Sequence, residues 1–363
     1  MPASPDIENI ISQFNIQGSI AQIKVVDTGH INDTYHLQNA DAMQPDYLLQ
    51  RINHAIFKNV PGLMDNIRQV TEHLKAKLAP EQADTHTMTI VKLHDGSLFL
   101  KDHLGNYWRI FHFIKGTRSY DLVTTTQQAF EGGKAFGRFQ SMLTDLNPDL
   151  LQDTIPDFHN MEHRLDQLEE ALNNNLAGRA KGISAELEFI NEHADEMCGI
   201  LYLGNAGRLP WRITHNDTKF NNVLLDASDR AQCVIDLDTV MPGYVAYDFG
   251  DAIRTIINTA AEDEVDLSKI DLNILFFEDY TKGYFEKARS FLTDMEVQSL
   301  LLGVFMLPFI QAVRFITDYL NGDIYFKINH TEHNLQRARA QIQLIRKLEE
   351  NKEDLRGIIN SYR

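Results

Sequence analysis

One stretch constrains this chain more than any other: Thr214-His215-Asn216-Asp217-Thr218-Lys219-Phe220-Asn221-Asn222. Two short apolar runs follow it, Val223-Leu224-Leu225 and Cys233-Val234-Ile235, and the second leads directly into Asp236-Leu237-Asp238. Short apolar runs bounded by polar residues read as buried strands. An acid at 217, an amide at 222 and further acids at 236 and 238 therefore sit at the ends of strands, where the backbone holds side chains still. Such a loop needs a folded scaffold on both sides.

The flanking sequence supplies one of two kinds. Upstream, Ile20–Val26 and Thr34–Leu37 read as strands around the turn Asp27–Asp33, and Tyr47–Ile52 reads as a third. A helix entered through Pro61 carries Leu63, Ile67, Val70 and Leu74 on one stripe. Hairpins are expected from Thr89 to Leu100 around Asp95-Gly96, and from Leu98 to Ile114 around Gly105-Asn106. Beyond Lys115-Gly116 the period changes to helical, with Phe130, Gly133, Phe136, Gly137 and Gln140 on one helix and Leu165 to Leu176 on another. Helices resume from Ala252 to the end. The expectation is an α+β fold of two lobes, a small antiparallel-sheet lobe over residues 1–115 and a mostly helical lobe over 116–363.

Charge and composition narrow the partners. A net charge of −17 disfavours nucleic acid. No run is read as approaching the roughly 18 apolar residues of a membrane span. The start, Met1-Pro2-Ala3-Ser4-Pro5-Asp6, lacks the pattern of a secretory signal, so a cytoplasmic location is expected. Cys198 and Cys233 have no metal-type spacing and read as core fillers. A monomer or weak homo-oligomer is expected.

H-x-D with an Asn five residues after the Asp is the spacing of protein kinases. Phosphoryl transfer needs an oriented acceptor, a carboxylate near it, and metal ions bridging the nucleotide phosphates. On that reading Asp217 accepts the hydroxyl proton, Asn222 and Asp236 ligate Mg2+ beside ATP, and Asp238 adds a second carboxylate ligand. With Tyr247-Asp248-Phe249-Gly250-Asp251, these segments resemble the aminoglycoside phosphotransferase and choline kinase superfamily. More narrowly, Gly29–Asn32, Thr214–Asn222, Ile235–Thr239 and Arg314–Phe326 resemble N-acetylhexosamine 1-kinases. That resemblance implies transfer from ATP to C1 of N-acetylglucosamine or N-acetylgalactosamine, with Asp217 as base and Arg314 and Tyr325 lining the sugar pocket. An Arg fork and a Tyr ring suit sugar hydroxyls, an acetamido carbonyl and a pyranose face.

Two departures stand out. The first hairpin has only Gly29, with His30, Asn32 and Asp33 nearby; His30 or Asn32 replaces some backbone contacts to phosphate, or the segment is a plain turn, an equally good reading. The third strand, where kinases carry a phosphate-pairing Lys, reads Leu48-Leu49-Gln50-Arg51. Either Arg51 supplies the cation or Gln50 takes the position, since alternation lets only one face the cleft. Glu72 is the nearest candidate for the helix acid that such a Lys would pair with, although a solvated helix face, which carries Glu routinely, is the better explanation. Phe113-Ile114 is the expected hinge, reading a purine through backbone groups.

Competing motifs are weaker. His159-Asn160-Met161-Glu162-His163 matches an inverted zinc-protease pattern but follows Pro156-Asp157 and lacks a third ligand downstream. Asp248 and Asp251 read as buttresses of the active loop, with Arg254 a turn away. Rival functions are a kinase for another small alcohol, of the homoserine, choline or aminoglycoside type, and a non-catalytic nucleotide or sugar sensor. An Arg at 314 would repel cationic acceptors.

Overall fold

In the computed structural model, which describes residues 6–26 and 31–362, the alternation near the N-terminus becomes an antiparallel sheet. After a short helix α1 (Ile7–Ile11), strands β1 (Ile20–Val26), β2 (Asp33–Asn39) and β3 (Tyr47–Ile52) follow one another. Next come helices α2 (Val60–Ala76) and α3 (Pro80–His86), then β4 (Ile90–Val91), β5 (Leu100–Lys101) and β6 (Tyr107–His112). The strand order is β1-β2-β3-β6-β4, with β5 also on β6. The turn expected at Asp95-Gly96 closes, with Leu93 N donating to the Ser97 carbonyl at 2.8 Å, but the strands on its two sides do not pair with each other. Both instead pair with β6, Val91 opposite Ile110 and Leu100 opposite Trp108. The reason lies in β6, whose Trp108, Ile110 and Phe111 are buried and offer two-residue strands a long apolar partner.

Phe14, Leu37, Tyr47, Leu49, Trp108 and Ile110 form the core under this sheet. Trp108 can be buried because its Nε1–H donates to Asp102 Oδ2 at 2.9 Å. Helix α2 starts where Asn59 Oδ1 accepts from Gly62 N, with Pro61 in its first turn, and it buries the stripe Leu63, Ile67, Val70, Leu74. These elements, with residues 145–155 and 224–241, make up the first of two compact units.

The second unit comprises residues 119–144, 156–223 and 242–363 and is mostly helical. Its chain runs through α4 (Thr126–Met142), α5 (Met161–Asn174), α6 (Ser184–Met197), α7 (Gly199–Asn205) and the short strand β7 (Arg212–Thr214). Strands β8 (Val223–Leu225) and β9 (Ala231–Val234) pair as a hairpin that carries the chain through the first unit. Strand β10 (Met241–Gly243) then pairs with β7, followed by α8 (Val245–Ile256), α9 (Ile274–Ala288), α10 (Asp294–Leu320), α11 (His333–Glu350) and α12 (Lys352–Ser361). Helix α8 begins before the expected Ala252, so Tyr247–Asp251 lie within a helix.

Glycines set the helix crossings here. A Cβ on Gly250 would stand 2.1 Å from the Gly303 carbonyl oxygen, and one on Gly303 would stand 2.0 Å from that of Ala246. Helices α8 and α10 therefore meet backbone to backbone. Helix α10 also corrects the expectation that no apolar run is long enough to span a membrane: it is 27 residues long with a mean hydropathy of 1.9 over its most apolar window. That window is 72% buried, packed by α5, α8 and α11, so α10 is the central helix of its unit. Cys198 and Cys233 are buried free thiols, and burial pushes Cys233 up to about 12.

Candidate active site

In the second unit the chain leaves β7 at Thr214 and enters a loop whose backbone is clamped by two buried acids of α8. Asp248 accepts from His215 N at 2.9 Å and Asn216 N at 2.7 Å, and from Gln140 Nε2 at 2.8 Å. Burial holds the Asp248 carboxyl above the usual range, although these donors and His215 pull the other way. Asp251 accepts from Thr218 N at 2.8 Å and pairs with Arg254 at 3.0 Å. Burial alone would raise the Asp251 carboxyl, but Arg254, with Lys219 and His159, outweighs it and leaves it below the usual range. Both acids thus act as the buttresses read from the sequence. Asn216 takes a left-handed backbone, φ 65°, which Asn tolerates better than most residues.

This clamp presents Asp217 partly exposed, its side chain 22% accessible. Lys219 Nζ lies 3.2 Å from Asp217 Oδ1, and Asn222 Nδ2 donates to the Asp217 carbonyl oxygen at 2.8 Å. With its N–H₂ so used, Asn222 has Oδ1 to offer a cation. Lys219 is a neighbour of the acid that the motif reading did not assign.

Four further residues of the unit gather beside this loop. His159 Nε2 is 3.1 Å from the Asn216 carbonyl oxygen, so that nitrogen carries the proton, and the ring packs against Phe158 and Tyr247. Burial lowers the imidazole to about 4, with Arg314 and Arg164 acting in the same direction. Arg314 lies over the rings of Phe158 at 5.3 Å, Phe326 at 5.4 Å and Tyr325 at 5.6 Å, and its Nη2 is 3.5 Å from the Tyr325 hydroxyl. Burial, reinforced by Arg314, lowers the Arg164 guanidinium to about 10. Arg314 and Tyr325 are thus neighbours, whereas His159 had no signal beyond the zinc-like motif and Arg164, just after that motif, had none. The inverted zinc-protease geometry does not form, because Asn160 caps α5 and His159 falls outside the helix.

The segment Asp236–Asp238 belongs to the first unit. Asp236 has a left-handed backbone, φ 60° and ψ 58°, at the entry to a tight turn over Leu237–Thr239. Asp238, expected as a second metal ligand, is instead occupied: Arg109 binds it bidentately, Nη1 to Oδ1 at 2.5 Å and Nη2 to Oδ2 at 2.9 Å, and Asn32 Nδ2 adds a bond of 2.8 Å. A carboxylate so engaged is a counter-ion to a guanidinium. Asn32, expected at the phosphates, divides its amide between Asp238 and the Asn53 N–H. Gly29 and His30 lie outside the described residues.

The two candidates on the third strand have different partners. Arg51 pairs with Asp33, its cross-strand neighbour, through a bond of 2.6 Å from Nε, and both are well exposed. Gln50 stands opposite Arg109 and accepts from its Nε at 3.0 Å while donating to Thr34 Oγ1. Glu72 pairs with Arg68 on its own helix. At the expected hinge, Phe113 N donates to the Asp46 carbonyl at 2.8 Å, its ring packs at a tilt against that of His36, and Ile114 is buried.

A sheet unit, a helical unit and an Asp217–Asn222 loop after a short strand define a protein-kinase-like phosphotransferase. The model of the phosphotransferase enzyme family (APH) matches residues 22–285, and the chain belongs to that family. Solved structures share its fold at low identity. A microcompartment-associated aminopropanol kinase is 14% identical, with 96% of this chain and 97% of that one covered and a TM-score of 0.63. A choline kinase from Cryptosporidium parvum Iowa II is also 14% identical, with 98% and 99% covered and a TM-score of 0.62. Amicoumacin kinase in complex with AMP-PNP and Ca2+ is 14% identical, with 93% and 92% covered and a TM-score of 0.59.

Proposed function

We propose that this phosphotransferase moves the γ-phosphoryl group of ATP onto the anomeric C1 hydroxyl of an N-acetylhexosamine. Asp217 carries the reading: it is a partly exposed carboxylate on a loop that buried acids hold rigid, beside Lys219 and Asn222. Asp217 takes the acceptor proton as the hydroxyl oxygen bonds to phosphorus. The bond from phosphorus to the bridging oxygen breaks, and ADP leaves. Asn222 and Asp236 supply hard oxygen ligands that suit Mg2+, which when bound neutralises charge on the triphosphate.

The acceptor class is argued from charge. Arg314 and Arg164 stand close enough to depress the Arg164 pKa, and both act on His159, which touches the residue before Asp217. Two guanidiniums, one of them among aromatic rings, repel the ammonium of choline or an amino alcohol and suit a neutral acceptor with a carbonyl and several hydroxyls. The resemblance of Arg314–Phe326 to N-acetylhexosamine 1-kinases points to the same class.

The test is ADP release with Mg2+-ATP and N-acetylglucosamine or N-acetylgalactosamine, compared with choline, ethanolamine, homoserine and aminopropanol. Turnover with the sugars at least 100-fold above the amino alcohols is expected. Preference for an amino alcohol would overturn the acceptor, and no ATP consumption with any alcohol would favour the sensor reading.

A further inference from the structure

A guanidinium is costly to bury unless every donor finds a partner. Arg109 on β6 is 1% exposed, and it meets that demand through Asp238, Gln50 and the face of Phe111. Its forked grip falls on the middle of the turn Leu237–Thr239, one residue beyond the left-handed Asp236 and its successor. The turn is held again just after it, where Asn66 Nδ2 donates to the Val240 carbonyl at 3.0 Å. A non-glycine residue keeps a left-handed backbone only where its surroundings impose it. Here the imposing contacts come from the sheet and from α2.

We propose that Arg109 is a positioning residue for the metal turn: by locking Asp238 it fixes the direction in which Asp236 presents its carboxylate. This rests on the reading of Asp236 as a Mg2+ ligand. It also accounts for the missing Lys. At the β3 position Gln50 serves as a hydrogen-bond acceptor for Arg109, so the positive charge of this sheet has moved one strand over and acts on the turn rather than on phosphate. Two consequences follow. Lysine cannot replace Arg109, because a single ammonium lacks the fork. Lysine at position 50 would face the guanidinium and remove its acceptor.

The experiment titrates Mn2+ into the full-length protein with ADP present, read by electron paramagnetic resonance, alongside melting temperature and sugar KM. Arg109→Met and Arg109→Lys are expected to weaken Mn2+ binding about 10- to 100-fold, the range for groups that orient metal ligands, with sugar KM within about twofold. The double variant Arg109→Met/Asp238→Asn removes the buried unpaired acid, so it should recover melting temperature without recovering Mn2+ affinity. Should Arg109→Met fail to fold, the double variant carries the test. Wild-type Mn2+ affinity in the folded double variant, or in Arg109→Lys, overturns the proposal. Gln50→Lys should lower the melting temperature without tightening ADP, and tighter ADP binding would count against it. Asp236→Asn separates the two readings: unchanged Mn2+ binding there overturns the metal assignment itself, whereas loss there with no effect of Arg109 overturns only the positioning role.

Discussion

Asp248 Oδ1 stands 2.7 Å from the backbone nitrogen of Asn216, the residue whose left-handed φ of 65° sets the course of the chain into Asp217. A buried carboxylate thus substitutes for the secondary structure this loop lacks. Replacing Asp248 with Asn sets an amide N–H₂ against N–H donors. A loss of about 3 kcal/mol in stability is expected, in the range for bonds to a buried charge, measured by urea denaturation. Turnover should fall further than that loss explains.

Asp217→Asn removes the proposed base and keeps the shape of the site. Turnover is expected to drop on the order of 10² to 10⁴ while nucleotide binding, followed by calorimetry, stays near wild type. Unimpaired turnover would sink the assignment.

For Arg314, Met should raise the sugar KM about 10- to 100-fold with a smaller change in kcat, and Lys should recover little of it, since stacking and bidentate bonding belong to the planar guanidinium. Steady-state kinetics with both epimers checks this.

His159 gives a pH signature. Its folded pKa, about 4, lies below the ordinary value of 6.5, so between them the unfolded chain binds a proton that the folded chain refuses. Stability then rises with pH across that window, and what His159 contributes above pH 6.5 is lost as pH falls toward 4, on the order of 3 kcal/mol. Melting curves of wild type and His159→Phe should diverge in slope over that interval, the variant being flatter.

Gly250→Ala forces a methyl into the 2.1 Å approach to the Gly303 carbonyl. A cost of about 3 kcal/mol is expected from this overpacking, with activity lost as well, because α8 carries Asp248 and Asp251. Denaturant midpoints and initial rates report both.

Much of the architecture was readable because its signals are local. Tyr47–Ile52 and Val223–Leu225 coincide with observed strands, since their apolar runs have clear polar boundaries. Pairing was less readable: β4 joins β6, about twenty residues away, in preference to its nearer neighbour, and no local pattern encodes such a choice. Asp217 and Asn222 stand out as candidates by spacing alone, whereas Arg109 becomes visible only through register, which sets it opposite Gln50. Asp238 looked like a ligand because an acid beside an acid says nothing of a cation 129 positions earlier.

The threading of the chain has a consequence for biosynthesis. Residues 224–241 complete the unit that begins at the N-terminus. On the ribosome that unit must wait until the chain has been made through residue 241, holding its sheet without Asp238 until then. Cutting the gene once cannot yield either half intact, so a circularly permuted or split-and-rejoined version would be the way to study one alone.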